Sequence, residues 1–168
     1  MKYTFCPYCA RPLTLKAVGD EGEQKYCANC GKFYFDNPAC CILTVILNEK
    51  KEVLLLKQNH ISKEKYVLCS GYVKNGDSLE ETVIREVLEE TGQKVLSLEY
   101  VKSYYFEPKA LIMPGFIAYV KASSFGSSKE VDGFIWTSLD EAKKMVERNN
   151  NFSGTHLDNC IELLNKYN

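Results

Sequence analysis

Apolar positions along the chain predict two strand pairs with one amphipathic helix between them. Residues 40–47 form a nearly continuous, β-branched apolar run, the mark of a strand buried on both faces. Residues 48–52 are polar and turn-like, and 53–56 return as a partner strand. A third short run, 66–70, leads into Gly71, where a strand should deliver a tight turn. Leu79, Val83, Ile84, Val87 and Leu88 then recur at helical spacing, so a helix is predicted over about 78–91 with one broad apolar sector against a core. Ser78 with Glu81 has the form of a capping box, Asp77 with Glu80 offers a register one residue earlier, and Gly92 is the expected stop. Beyond it, 95–106 reads as a strand, 107–109 as a turn, and 111–121 as a return strand broken by Pro114 and Gly115. A Ser/Gly-rich loop covers 123–129. Ser138 and Glu141 open a further helix to about Arg148, and three asparagines end it. Ser153 or Thr155 caps a last helix with Leu157, Cys160, Ile161 and Leu164 on one face.

Composition narrows the class. At 168 residues the chain is long enough for one ordinary core and a small appendage. Apolar content of 45% and charged content of 26% are those of a soluble globular protein. A net charge of −1 advertises no polyanion partner. No apolar run has the length of a membrane span, so no membrane partner is expected. The N-terminal residues lack the apolar stretch of a signal peptide. Cysteines without secretion argue for a metal site and not for a disulfide framework, and the expected location is cytoplasmic.

Four of the eight cysteines have metal-ligand spacing. Cys6 and Cys9 form one Cys-x2-Cys knuckle and Cys27 and Cys30 another, and two knuckles complete a tetrahedron of thiolates. Redox chemistry would need only one pair, and a segment this small has little apolar content to fold around without a metal. Residues 1–36 are therefore expected to be a structural zinc ribbon, with a rubredoxin-like iron site as the competing reading. The segment's five Lys/Arg against four acids make it no basic nucleic-acid clamp. Cys40, Cys41, Cys69 and Cys160 have no such spacing and read as buried small hydrophobes.

The predicted helix at 78–91 carries the other candidate chemistry. Glu86, Glu89 and Glu90 are neighbours at spacings of three and four. Glu89 and Glu90 fall in the last turn, where the helix dipole disfavours anions by about 0.3–1 kcal/mol each. A divalent cation would reverse that penalty, and an oxygen-only ligand set suits Mg²⁺ or Mn²⁺. Lys57, His60, Lys63 and Lys65 follow the second strand. They read either as a solvated loop or as cations for substrate phosphates, with Lys57 the substrate-binding candidate and His60 a weaker general-base candidate.

The stretch from Gly71 to Gln93 resembles the Nudix box, Gly-x5-Glu-x7-Arg-Glu-U-x-Glu-Glu-x-Gly-U with U aliphatic, at seven of its nine specified positions. The departures are Asp77 for the first Glu and Gln93 for the last aliphatic residue. Asp77 is expected to keep a bracing role through Arg85, and Gln93 to loosen one packing contact. The resemblance implies an α/β fold, the Nudix α/β/α sandwich with a mixed sheet, over residues 37–168. It implies metal-dependent hydrolysis of the pyrophosphate bond of a nucleoside diphosphate linked to another moiety. By that resemblance Glu86 and Glu90 are Mg²⁺ or Mn²⁺ ligands, completed by the Ser70 carbonyl and Glu130. Glu89 is the candidate base or second-metal ligand, Arg85 orients the glutamates, and Tyr72 either stacks on a base or has a plain packing role.

A zinc ribbon ahead of such a domain resembles the NADH pyrophosphatase branch, which also removes NAD caps from RNA. That branch carries Ser-Gln-Pro-Trp-Pro-Phe-Pro-x-Ser after the strand that follows the box. Here residues 103–111 match it outright only at Ser103, with Phe106 as the aromatic where the Trp would stand. The architecture therefore carries over and the NADH specificity does not: ADP-ribose, FAD, dinucleoside polyphosphates and a capped RNA end are all open, within a class of substrates that includes NADH and NAD⁺. Ribbon-bearing relatives are often homodimers. The alternative class is a non-catalytic nucleotide-sensing or RNA-docking module, against which the intact acids of the box argue.

Overall fold

In the computed structural model, which describes residues 3–59, 63–124, 131–149 and 152–166, the chain divides into two units, Met1–Ala39 and Cys40–Asn168. The first unit is a three-stranded antiparallel sheet of β1 (Thr14–Ala17), β2 (Glu23–Cys27) and β3 (Lys32–Tyr34), in that order. Both Cys-x2-Cys stretches turn in the same way. The Ala10 N–H donates to the Cys6 carbonyl at 2.8 Å, and the Gly31 N–H to the Cys27 carbonyl at 2.9 Å. Among the described residues, the only hydrophobic positions buried in this unit are Cys6 and Cys27. Its interior is made of thiols, with a Tyr26–Phe33 ring pair at 4.7 Å on the sheet.

The second unit is built on β4 (Ala39–Leu47), whose run is buried on both sides because its side chains alternate between two cores. Leu43, Val45 and Leu47 point one way, joined by Val53 and Leu55 of β5 (Val53–Lys57). They pack on Ala142 of α2 (Leu139–Met145) and on Leu157 and Cys160 of α3 (Ser153–Lys166). Ile42, Ile46, Leu54 and Leu56 point the other way, onto Val83 and Val87 of α1 (Leu79–Thr91). The sheet thus lies between helices. Its order is β7-β8-β4-β5-β9, with β6 (Cys69–Tyr72) paired to β4. Here β7 is Val95–Phe106, β8 Leu111–Val120 and β9 Gly133–Thr137.

Helix α1 starts in the expected register. Ser78 Oγ accepts from the Glu81 N–H, Glu81 accepts in return from the Ser78 N–H, and Gly92 closes the helix in the left-handed conformation. Its buried face differs from the expected sector. Val83 and Val87 are fully buried, each contributing about 1.5–3 kcal/mol, but Ile84 and Leu88 are 46% and 49% exposed. Thr82, Glu86, Glu90 and Thr91 take their place inside. The helix is rotated so that two carboxylates face the sheet, where the strands supply room and a donor.

Several further expectations change. Pro114 and Gly115 do not break β8, which pairs with β7 along its whole length around irregularities at Val95/Ser97 and Tyr100/Lys102. Gly115 is required there because a Cβ would lie 2.4 Å from His156 Cε1. α2 stops at Met145 and not near Arg148, because Val146 turns extended and bridges Tyr66. Ser153 lies at the start of α3 itself and its hydroxyl accepts from the Leu68 N–H at 3.3 Å. Gln93 loosens nothing. It is fully buried, and its carbonyl accepts from the Ser123 N–H at 2.9 Å while its amide donates to the Ser123 carbonyl at 3.1 Å.

His156 anchors α3 to the strands. One ring nitrogen meets the Phe116 carbonyl at 3.0 Å, so Nε2 carries the proton, and Nδ1 accepts from the Tyr104 hydroxyl at 3.0 Å. Burial lowers its pKa from 6.5 to about 4, although the Phe116 bond works the other way. A depressed folded-state pKa means the unfolded chain binds the proton first. The stability contributed is present above pH 6.5 and is lost as pH falls toward 4. The difference is worth up to about 3 kcal/mol. Urea unfolding at stepped pH should show the parent losing stability across that window more steeply than His156→Gln. Identical pH dependence in the two would contradict it.

Candidate active site

Strand β6 and helix α1 bring the box residues together. Val73 N–H donates to the Cys40 carbonyl at 3.0 Å. In an antiparallel ladder that bonding alternates, so residues 71 and 69 also face β4 with their backbone groups, while 72 and 70 face away. The outward Tyr72 carbonyl accepts from Arg85 Nη2 at 3.2 Å. The Ser70 carbonyl points to the same open edge. Side chains alternate too: Gly71 pairs with Ile42 and faces α1, while Ser70 and Tyr72 face the opposite side.

Gly71 is the contact point with the helix. A Cβ there would lie 2.0 Å from Glu86 Cδ and 2.2 Å from its Oε1. The carboxylate occupies the space a side chain would fill, which is why a glycine stands here. Glu86 is 9% exposed and Glu90 4%. Buried charges need partners, and both have them. Arg85 Nη1 donates closely to Glu86 Oε1 and, at 3.3 Å, to Glu89 Oε2. Arg85 Nε donates to Asp77 Oδ2 at 3.2 Å, so the shorter acid still reaches the arginine. Glu90 Oε1 accepts from Gln58 Nε2 at 3.0 Å. Burial, then the adjacent Glu90 charge, holds the Cys69 thiol well above its usual pKa, so it stays protonated beside the carboxylate. Glu89 differs from its neighbours. Its side chain is 55% exposed, open to solvent beside the buried pair.

On the other side of β6 lies a cavity of about 240 Å³. Tyr72, Phe106, Lys109, Met113 and Phe152 line it, together with Ser70 and Gly71 at its inner end. Phe106 and Phe152 meet edge to face at 5.9 Å, and Phe152 stacks on Tyr104 at 5.1 Å. Tyr72 and Phe106, both sequence candidates for substrate contact, are therefore brought to one apolar chamber. Lys57 is not. Strand alternation sends it to the face opposite Glu90, where its ammonium donates to the Lys63 carbonyl at 2.5 Å. The next residue, Gln58, is the one that reaches α1. Glu130 and His60 lie outside the described residues. Lys109 and Phe152 were missed because the chamber gathers them from a turn and a helix start far apart in sequence. Gln58 was legible through parity with Leu54 and Leu56.

The donor sets suit two kinds of cation. Buried carboxylates beside an outward backbone carbonyl form a hard-oxygen set fitting Mg²⁺ or Mn²⁺. In the first unit the four thiols of Cys6, Cys9, Cys27 and Cys30 lie within 4.8 Å of one another. Cys6 to Cys30 is 3.9 Å and Cys9 to Cys27 3.6 Å. A tetrahedron with Zn–S bonds of 2.3 Å has edges of about 3.8 Å, so the four sulfurs fit zinc. The Tyr34 hydroxyl stands 3.1 Å from Cys6 Sγ.

A sheet between helices, a glycine on the facing strand and a pair of buried glutamates, one braced by Arg85 and the other by Gln58, define the Nudix fold and box. The chain belongs to the Nudix family, whose domain model matches residues 38–156. Over 139 residues it is 30% identical to the NAD-capped RNA hydrolase NudC of Chromobacterium violaceum, covering 82% of this chain and 51% of that protein. The chain spans about half the length of the curated relatives it matches. A Nudix hydrolase structure from Nitrosomonas europaea superposes with a TM-score of 0.70 at 20% identity, over 98% of this chain and 92% of that one. The NUDIX domain of Shewanella oneidensis NrtR, solved with ADP ribose, superposes with a TM-score of 0.66 at 16% identity, over 83% and 94%. At these identities the structures speak for the fold. Among the described residues no helix is long and apolar enough to cross a membrane.

Proposed function

We propose that the chain is a Mg²⁺- or Mn²⁺-dependent pyrophosphohydrolase acting on a nucleoside diphosphate linked to a second moiety, with NAD(H), ADP-ribose and NAD-capped RNA ends as the substrate class. The observation that carries it is the Glu86 carboxylate seated in the space over Gly71, beside buried Glu90 and behind an aromatic chamber. The relatives named as NAD-capped RNA hydrolases support the substrate class.

In this reading Glu86, Glu90 and the Ser70 carbonyl hold the cation, with Glu130 joining them by its resemblance to the family pattern. The bound ion supplies Lewis-acid stabilisation of the phosphoryl oxygens and a lowered pKa for the attacking water. The chain's own residues do the rest. Arg85 fixes Glu86 and Glu89 through hydrogen bonds to both. Glu89, the exposed acid, takes the proton from the water. Water adds to one phosphorus, the bond from that phosphorus to the bridging oxygen breaks, and two phosphate monoesters leave. Tyr72 and Phe106 stack on the base.

Turnover tests this directly, on a panel of NADH, NAD⁺, ADP-ribose, FAD and diadenosine polyphosphates, in Mg²⁺ and then Mn²⁺, with products read by mass. At least one member should split into two monoesters. A panel left intact in both metals would contradict the proposal.

The first unit we assign to structural zinc at Cys6, Cys9, Cys27 and Cys30, in a shell closed by four thiolates. With almost no apolar interior, it should fold only when metal-bound. Elemental analysis should give about one zinc per chain, as four thiolates require. Chelation should abolish amide-exchange protection in β1–β3 while β4–β9 keep theirs. Protection unchanged in β1–β3 after zinc is stripped would refute the assignment.

A further inference from the structure

Gln58 is fully inside the protein yet polar, and nothing in the family pattern of the box includes it. It is 3% exposed, one residue past β5, on the α1 face set by Leu54 and Leu56. Its Nε2 lies 3.0 Å from Glu90 Oε1, thirty-two residues away in the chain. An ionised carboxylate only accepts, so the amide nitrogen and not the oxygen must face it. Among the described residues, Gln58 Oε1 has no hydrogen-bond partner. A buried amide that leaves its own oxygen unpaired is a poor choice for packing alone, and what the Gln58 side chain supplies is a donor to the buried Glu90 carboxylate. The backbone on either side is held in place. The Lys57 carbonyl accepts from the Asp132 N–H at 2.9 Å, and the Asn59 N–H donates to Asp132 Oδ2 at 2.8 Å.

We propose that Gln58 is a positioning residue that fixes the orientation of the Glu90 carboxylate and thereby sets the protein's affinity for its divalent cation. The inference rests on the metal-dependent reading above. A carboxylate ligand held by a donor from a rigid strand end is pre-oriented, and without that donor it must be ordered when the cation binds. Loss of such supporting partners typically costs about 10–100-fold in metal affinity.

The test is Mn²⁺ binding to the full chain, read from the electron-paramagnetic signal of free Mn²⁺, in the parent and in Gln58→Met. The methionine keeps length and volume and removes the donor. Expected is a Kd for Mn²⁺ weakened by about tenfold or more, with kcat lowered, nucleotide KM unchanged, and the metal-free unfolding midpoint moved by only a few degrees. Should Gln58→Met fail to fold, Gln58→Asn carries the same measurement, since it keeps the amide but withdraws it from Glu90. A Kd within about twofold of the parent's, well short of that range, in whichever variant folds overturns the role of Gln58 and leaves the hydrolase reading standing. A parent that binds no Mn²⁺ overturns both.

Discussion

Glu90→Gln is expected to lower turnover by about a thousandfold while leaving the fold intact. The substitution keeps the side chain's shape, and a carbonyl remains to accept from Gln58 Nε2, now 3.0 Å from Glu90 Oε1. What disappears is a negative charge at a position 4% exposed. Removing a buried charge relieves its desolvation, so thermal stability should hold or rise. The metal site loses an anionic ligand, and Lewis-acid stabilisation of several kcal/mol goes with it. At 1.36 kcal/mol per tenfold in rate, about 4 kcal/mol gives the stated loss. Steady-state kinetics beside a thermal melt would check it. The same variant separates an enzyme from a nucleotide sensor. An enzyme loses turnover and still binds nucleotide in the aromatic chamber, whereas a sensor has no turnover to lose.

Gly71→Ala should also damage activity, about tenfold less severely and by a different route. Its Cβ would stand 2.0 Å from Glu86 Cδ, 2.2 Å from Oε1 and 2.4 Å from Cγ. The three nearest atoms all belong to the Glu86 side chain, which is therefore the first to be displaced. The glutamate can swing away at modest cost to the fold, and the unfolding midpoint should fall by only a few degrees. Its carboxylate then leaves the place where Arg85 and strand β6 hold it. A displacement of about 1 Å in a positioned catalytic group can cost about a hundredfold in rate. The expected result is a kcat lowered about a hundredfold in a protein that still melts cooperatively. A variant with parental kcat would mean that the seat over Gly71 does not position Glu86 for catalysis.

Most of the fold was legible because hydrophobic pattern and turn chemistry agree along this chain. The run from Cys40 to Leu47 is apolar at every position but Thr44, and the structure buries it on both faces of the sheet. Strand β7 begins and ends where its pattern does, at Val95 and Phe106. The capping box at Ser78 fixed where α1 starts. Rotation of that helix was not legible. Periodicity assigned Ile84 and Leu88 to the core, because a glutamate is normally priced as a surface residue. A glycine on the facing strand and a glutamine donor at 58 reverse that price for Glu86 and Glu90. The apparent break at Pro114 and Gly115 failed for a similar reason: the glycine makes room for the His156 ring, a contact no local rule contains. At the site, Arg85, Asp77, Glu86 and Glu90 were placed by motif spacing. Lys57 was singled out for its charge, but strand parity turns it away from α1, and the neighbouring Gln58, which carries no charge to draw attention, reaches Glu90. The aromatic chamber draws Phe106, Lys109 and Phe152 from segments whose convergence only the tertiary fold creates.

The proposed activity is metal-dependent addition of water to one phosphorus of a diphosphate. Turnover of the best panel substrate in ¹⁸O-labelled water, with Mg²⁺ or Mn²⁺ and with a chelator-treated control, tests it most directly. A single ¹⁸O atom is expected in one of the two monoester products, with no turnover in the chelated sample. Products without label, or turnover that survives metal removal, would contradict it.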